Sequence, residues 1–248
     1  MIVLKSAAEL ARMRAAGRIV AEILALLETR IKPGVTTAEL DALAERECQR
    51  HGAKPAFKGY GGFPYALCAS PNDRVVHGFP DHHPLVEGEI LSIDFGVLYQ
   101  GYYGDAAVTV PVGRIDAATT SLVTVTRESL DQAIARAVPG GRLSDISHAV
   151  QSWVEAHGFS VVRDFVGHGI GRQLHEAPQL PNFGPPGQGP RLKPGMTLAI
   201  EPMINAGSPG VKILEDGWTA VTQDGKRSAH FEHTVAITES GPEILTRV

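Results

Sequence analysis

Two stretches of this chain share one outline. PGVTTAELDALAERECQRHG spans 33–52 and PGGRLSDISHAVQSWVEAHG spans 139–158. Both open on Pro-Gly and close on His-Gly over the same length. Further on, PLVEGEILSID ends at Asp94 and RLKPGMTLAIE ends at Glu201. Pro33 and Pro139 stand 106 residues apart, Asp94 and Glu201 107. Strict identity is low, and a common helix-and-cap pattern produces part of the likeness unaided. The collinear second match, with a carboxylate closing both copies, favours an internal duplication. We therefore expect one domain over 1–248, with halves of about 1–115 and 116–248.

Each half has the same expected order. A helix comes first, over about 6–31 and about 119–137, and Leu24, Leu27 and Ile31 fall on one helical face. A second helix follows each Pro-Gly turn. Thr36, Thr37 and Ser144 are its candidate N-caps, and Gly52 and Gly158 its stops. Extended segments follow. The stretch PNFGPPGQGP at 181–190 reads as an ordered loop near the site, since its prolines lack ladder donors.

Composition excludes several classes. The 248 residues carry a net charge of -4, which lacks the basic field of a general nucleic-acid binder. Two cysteines, Cys48 and Cys68, are too few for a disulfide scaffold and point to the reducing cytosol. The N-terminal stretch holds Glu9 and no apolar core, unlike a secretory signal. No run approaches the ~18 apolar residues of a membrane span.

The strongest chemical signal is acidic residues on strand-like segments. EILSIDFGVLYQGYYGDAAVTVPV reads as a β-hairpin with Gly101 near the bend. If the turn centres on Tyr99 and Gln100, Asp94 lies directly opposite Asp105. Two facing carboxylates repel, and a bound cation removes the conflict. The competing reading is a register off by one, or both side chains in water. In the second half Asp216-Gly217 is a hairpin-turn dipeptide, and Glu201 and Glu232 are equidistant from it. The two halves thus offer four carboxylates on strand-like segments.

Histidines join them. His168 and His175 lie seven apart in FVGHGIGRQLHEAP, and His77 sits in NDRVVHGFP. His51 and His157 read as helix-end residues. His82, His83 and His148 read as structural or surface residues. His230 and His233 flank Glu232 and are expected on the other face of its strand. Oxygen-rich ligation with an imidazole suits Mn²⁺, Fe²⁺ or Co²⁺ better than a thiolate zinc site. Four carboxylates suit two ions, which together generate a nucleophile and polarise a carbonyl. No nucleophile-elbow, phosphate-loop or H-E-x-x-H motif is present.

Taken in order, NDRVVHGFP, LSIDFG, GYYGDAAVTVPVG, GHGIGRQLHEAP, AIEPMI and FEHTVAIT make the chain resemble the type I methionine aminopeptidases of the bacterial kind over essentially its whole length. The resemblance implies an α+β architecture, the pita-bread fold, in which two pseudo-symmetric halves form a curved antiparallel sheet flanked by helices. It implies two divalent ions (Co, Mn, Fe or Zn) held by Asp94, Asp105, His168, Glu201 and Glu232. Asp105 and Glu232 would bridge, Asp94 would complete one ion, and His168 and Glu201 the other. His77 and His175 would contact substrate, and Glu201 would also carry a proton. The methionine pocket would comprise Tyr60, Phe63, Cys68, Leu174 and Trp218. Leu174 departs from the phenylalanine usual there, which softens the pocket wall.

The implied activity is removal of the N-terminal methionine by a metal-bridged hydroxide. The implied partners are nascent polypeptide N-termini, met at the ribosome, for a cytoplasmic monomer with no specific nucleic acid and no membrane. Two other readings stay open. One is the proline-specific branch, aminopeptidase P or prolidase, whose chains usually carry a further N-terminal domain. The other is a non-catalytic pita-bread module, which typically loses metal ligands.

Overall fold

The computed structural model describes Met1–Val248. In chain order its first part gives α1 (Ala7–Glu28), α2 (Thr37–Arg50), β1 (Lys54–Pro55), a 3-10 turn (Tyr60–Gly62), β2 (Cys68–Pro71), β3 (Arg74–Val76), β4 (Ile90–Tyr99) and β5 (Tyr102–Pro111). Then come α3 (Ala117–Arg136), α4 (Leu143–Ala156), β6 (Ser160–Val161), β7 (Gly167–Gly169), β8 (Glu176–Leu180) and β9 (Thr197–Ile200). The chain ends with β10 (Met203–Asn205), β11 (Val211–Ile213), β12 (Ala220–Thr222), β13 (Ser228–His230), β14 (Glu232–Thr238) and β15 (Gly241–Ile244). No helix is long and apolar enough to cross a membrane.

The helix boundaries follow from local chemistry. Ser6 and Thr36 begin α1 and α2 with capping boxes, closed three residues on by Glu9 and Glu39. Asp116 caps α3 by accepting from the Thr119 N–H. Ser144 does not cap α4. That helix starts two residues earlier than such a cap implies, with Arg142 at the cap position, and the Asp145 carboxylate accepts from the Arg142 N–H at 2.8 Å. Ser144 instead receives the Gln188 N–H at 2.7 Å, because pairing with the 188–192 segment draws its hydroxyl outward. Gly52 and Gly158 both stop their helices in the left-handed region, at φ +67° and +79°. In both, the next amide reaches back past the stop, Ala53 N–H to Cys48 and Phe159 N–H to Val154.

The main sheet has nine antiparallel strands. Its order is β1-β4-β5-β14-β9-β7-β8, with β2 also on β4 and β15 on β14. Two three-stranded sheets, β13-β10-β6 and β11-β12-β3, complete the strands. The helices α1 and α2 cover β4 and β5 with Val20, Ile23, Leu27, Leu40, Leu91, Ile93 and Phe95. The helices α3 and α4 cover β9 and β14 with Leu122, Ile146, Val150, Leu198, Ile200 and Val235. Gly17 and Gly104 let α1 lie directly on β5, since a Cβ on Gly104 would stand 2.8 Å from the Gly17 nitrogen.

The β4–β5 hairpin turns one residue later than expected. Tyr99 pairs with Tyr102, and Gln100 and Gly101 form the turn at φ +50° and +78°. Positive φ at both central residues matches the right-handed strand twist, which favours this two-residue turn. The register therefore moves by two. Asp94 faces Ala107, and Asp105 faces Gly96. A shift of two keeps both aspartates on one face, where a shift of one would have parted them.

In the second half the pairing is symmetric about Asp216-Gly217, as expected. Ala199 pairs with Thr234, Ile204 with Ala229 and Lys212 with Val221. One interrupted hairpin thus runs through three sheets. Its register carries Glu201, just past β9, to the position opposite Glu232.

Candidate metal centre

Each acidic side chain reaches the centre from a different strand. Asp94 lies on β4, Asp105 on β5, Glu232 starts β14, Glu201 follows β9, and His168 lies on β7. They line one cavity of about 170 Å³. Asp105, Glu232 and His168 offer ligand atoms within 4.8 Å of one another. Gly96, opposite Asp105, leaves the space, for a Cβ there would stand 3.0 Å from Asp105 Oδ1.

The electrostatics of this cluster are adverse without a cation. Asp94, Asp105, Glu201 and Glu232 are all pushed above the usual carboxylate range, first by burial. Mutual repulsion adds to the rise at the last three. Asp94 Oδ1, Asp105 Oδ1 and Glu232 Oε1 are buried with no hydrogen-bond partner. Buried, unpartnered carboxylate oxygens are costly, and a divalent cation satisfies them together. His168 fits the same purpose. Its Nδ1 bonds the Gly169 carbonyl at 2.9 Å, which places the ring proton on Nδ1 and leaves the Nε2 lone pair for a metal. Burial holds this imidazole down at about 4.

The cavity's other wall is apolar and aromatic. Phe63, Cys68 and Leu174 are buried, and Phe63 packs edge-on to Trp218 with centroids 5.2 Å apart. The Trp218 main chain is set by the Asp216 carboxylate, which accepts its backbone N–H at 2.8 Å. At the rim, the Tyr60 hydroxyl bonds His175 Nδ1 at 2.7 Å. The His175 and His168 rings lie 4.2 Å apart. His77 reaches the cavity from a left-handed backbone at φ +58°. That conformation is unfavourable for a bulky residue and recurs at functional sites. Its ring stands edge-on to Phe165, and burial lowers it to about 4.

All twelve site residues named from the sequence meet in this one cavity. The thirteenth lining residue, Phe57, was missed. Its only local sign is an aromatic in a loop, and its ring is placed by Gly96 across the sheet. The reading of His230 needs correction. It stands two residues before Glu232, so the extended chain keeps both on one face. Its Nε2 lies 3.8 Å from Glu201 Oε2. His233 does point away, to Thr246 Oγ1 at 2.9 Å. The 181–190 loop touches the site only through Asn182, which donates to the Glu201 carbonyl at 2.9 Å. The rest of it bonds α4 through Gln151, Asp145 and Ser144.

Comparison with known proteins identifies a family. The profile of Metallopeptidase family M24 matches residues 11–239. Methionine aminopeptidase 1 of Bacillus subtilis is 57% identical, with 100% of both chains covered.

The chain belongs to the methionine aminopeptidases of metallopeptidase family M24.

Among other family members, methionine aminopeptidase of Clostridium perfringens is 55% identical over 100% of both chains. The crystal structure of methionine aminopeptidase from Thermotoga maritima superposes with a TM-score of 0.99 at 53% identity, again over 100% of both chains. The prolidase of Pyrococcus furiosus has the same pita-bread fold, with a TM-score of 0.81 at 23% identity. This chain covers only 66% of that protein.

Proposed function

We infer that this chain is a dinuclear metal-dependent aminopeptidase that removes the N-terminal methionine from nascent polypeptides in the cytoplasm. One observation carries the reading. Four carboxylates and His168, with Asp105, Glu232 and His168 buried and Asp94 and Glu201 half-buried, share a single 170 Å³ cavity with an apolar wall. The membership reported above and the names of the curated relatives support it.

Asp94, Asp105, His168, Glu201 and Glu232 would hold the two ions. Bound there, divalent ions of the Mn²⁺, Fe²⁺, Co²⁺ or Zn²⁺ class supply an activated water and polarise the first peptide carbonyl. The protein's own groups do the rest. Glu201 takes the proton of the attacking water and returns it to the leaving amine. The Tyr60 hydroxyl lies 2.7 Å from His175 Nδ1, and in the tautomer where it donates there the ring proton stays on Nε2 to hold the developing oxyanion. His77 holds the following amide. Phe63, Cys68, Leu174 and Trp218 take the methionine side chain.

The test is hydrolysis by metal-stripped protein resupplied with each of the four ions. Met-Ala-Ser, Leu-Ala-Ser and Ala-Pro-Ser are offered side by side. Metal-dependent release of methionine alone is expected. Release from Ala-Pro-Ser would move the chain to the proline-specific branch. Absence of cleavage with every ion would refute the enzymatic reading.

A further inference from the structure

The Glu201 carboxylate sits between two imidazoles. Its Oε1 is 3.5 Å from His168 Nε2, and its Oε2 is 3.8 Å from His230 Nε2. The two rings differ in what holds them. His168 spends its Nδ1 on the Gly169 carbonyl and turns a lone pair to the cluster. His230 is 1% exposed, and its Nε2 is buried without a hydrogen-bond partner.

The backbone beneath His230 is held firmly. One hydroxyl, that of Thr109, donates to the His230 carbonyl and accepts from its N–H, both at 2.8 Å. Ser92 Oγ stands 2.8 Å from the same hydroxyl. A hydroxyl has one proton and two lone pairs, so Ser92 is the donor in that contact and Thr109 is fully used. The His230 ring is thus delivered to Glu201 from a fixed main chain.

We propose that His230 is a positioning residue, whose Nε2–H faces Glu201 Oε2 at 3.8 Å, outside hydrogen-bond distance, and by charge–dipole attraction keeps Oε1 on the side of His168. The inference rests on the reading of Glu201 as a metal ligand. The orphaned Nε2 faces a carboxylate oxygen, and such a contact is favourable only when the nitrogen carries the proton. Neighbours that orient a ligating carboxylate are part of a metal site's affinity, and losing one typically weakens binding 10–100-fold. Without His230, Glu201 stays in the cluster and loses the dipole that orients it.

The test uses full-length protein titrated with Mn²⁺, with free ion followed by electron paramagnetic resonance. His230→Phe fills the space without a donor, and His230→Gln restores an N–H donor. Expected is at least about 10-fold weaker Mn²⁺ binding in His230→Phe and near wild-type binding in His230→Gln. kcat on a methionyl peptide should follow Mn²⁺ affinity, with KM little changed. Glu201→Gln is the control. If it weakens Mn²⁺ binding while His230→Phe does not, the positioning role fails and the metal-site reading stands. If Glu201→Gln binds Mn²⁺ as the wild type does, both fail. A readout on the wild type needs no variant to fold. Long-range ¹H–¹⁵N spectra of the Zn²⁺-loaded protein should place the His230 ring proton on Nε2, and a proton on Nδ1 would overturn the proposal.

Discussion

The hydroxyl of Thr234 takes both backbone hydrogen bonds of Asp105, accepting its N–H at 3.0 Å and donating to its carbonyl at 2.8 Å. The β5–β14 ladder has only two backbone pairs, Glu232 with Ala107 and His233 with Ala106. Thr234 and Asp105 occupy the next register position, where a side chain replaces the ladder. At the other end Thr109 serves His230 in the same way. Two threonine hydroxyls therefore close the seam that joins the two carboxylate hairpins. Thr234→Val should strand two buried backbone groups of Asp105, at roughly 1–3 kcal/mol for each. Thr234→Ser should keep most of the stability. Urea unfolding of the metal-free protein measures both, and equal stability of Thr234→Val and wild type would show the hydroxyl to be dispensable.

His175→Ala should lower kcat by about 10²–10³ while bound Mn²⁺ is unchanged, since the imidazole touches substrate in the proposed mechanism. Tyr60→Phe removes only the hydroxyl on Nδ1 and should cost up to about tenfold. Steady-state kinetics beside metal analysis decides. Parallel loss of metal and activity in His175→Ala would make it a site-building residue instead.

Leu174 is 2% exposed and packs with Phe63 and Cys68 on the apolar wall. Leu174→Ala should raise KM for Met-Ala-Ser by about tenfold or more, because methylene contacts in a pocket are worth ~1–3 kcal/mol. It should also narrow the preference over Leu-Ala-Ser. An unchanged ratio of kcat/KM for the two peptides would remove Leu174 from the specificity wall.

Glu9 titrates at about 2 instead of 4.5, held first by the Ser6 N–H and then by the Tyr102 hydroxyl at 2.7 Å. A carboxylate depressed on folding contributes stability above its unfolded value, and loses it as pH falls through the folded one. The gap in melting temperature between wild type and Glu9→Gln should be widest above pH 4.5 and close toward pH 2. A gap independent of pH would mean that the Glu9 charge contributes nothing.

Much of the centre was legible because its signals are local. Asp94 and Asp105 stood out as acids where a strand disfavours them, and strand parity kept them on one face despite the wrong turn. Asp216-Gly217 marked the centre of the second hairpin, although the turn there is a longer loop between Ile213 and Ala220 and the counting from it was looser than in the first hairpin. Gln100 hid the first register, because nothing in a glutamine announces a positive φ.

The sequence by itself determined the kinds of atoms in the site, their faces on the strands, and the helix ends. The family resemblance named the twelve that meet, and tertiary structure alone decided the contacts beyond that set. Phe57 enters the cavity through Gly96 across the sheet, and His230 reaches Glu201 because β10 pairs with β13. Such contacts join residues far apart in the chain. Their distances depend on sheet pairing and curvature that no local period records, whereas caps, turns and face parity act within a few residues and can be read directly.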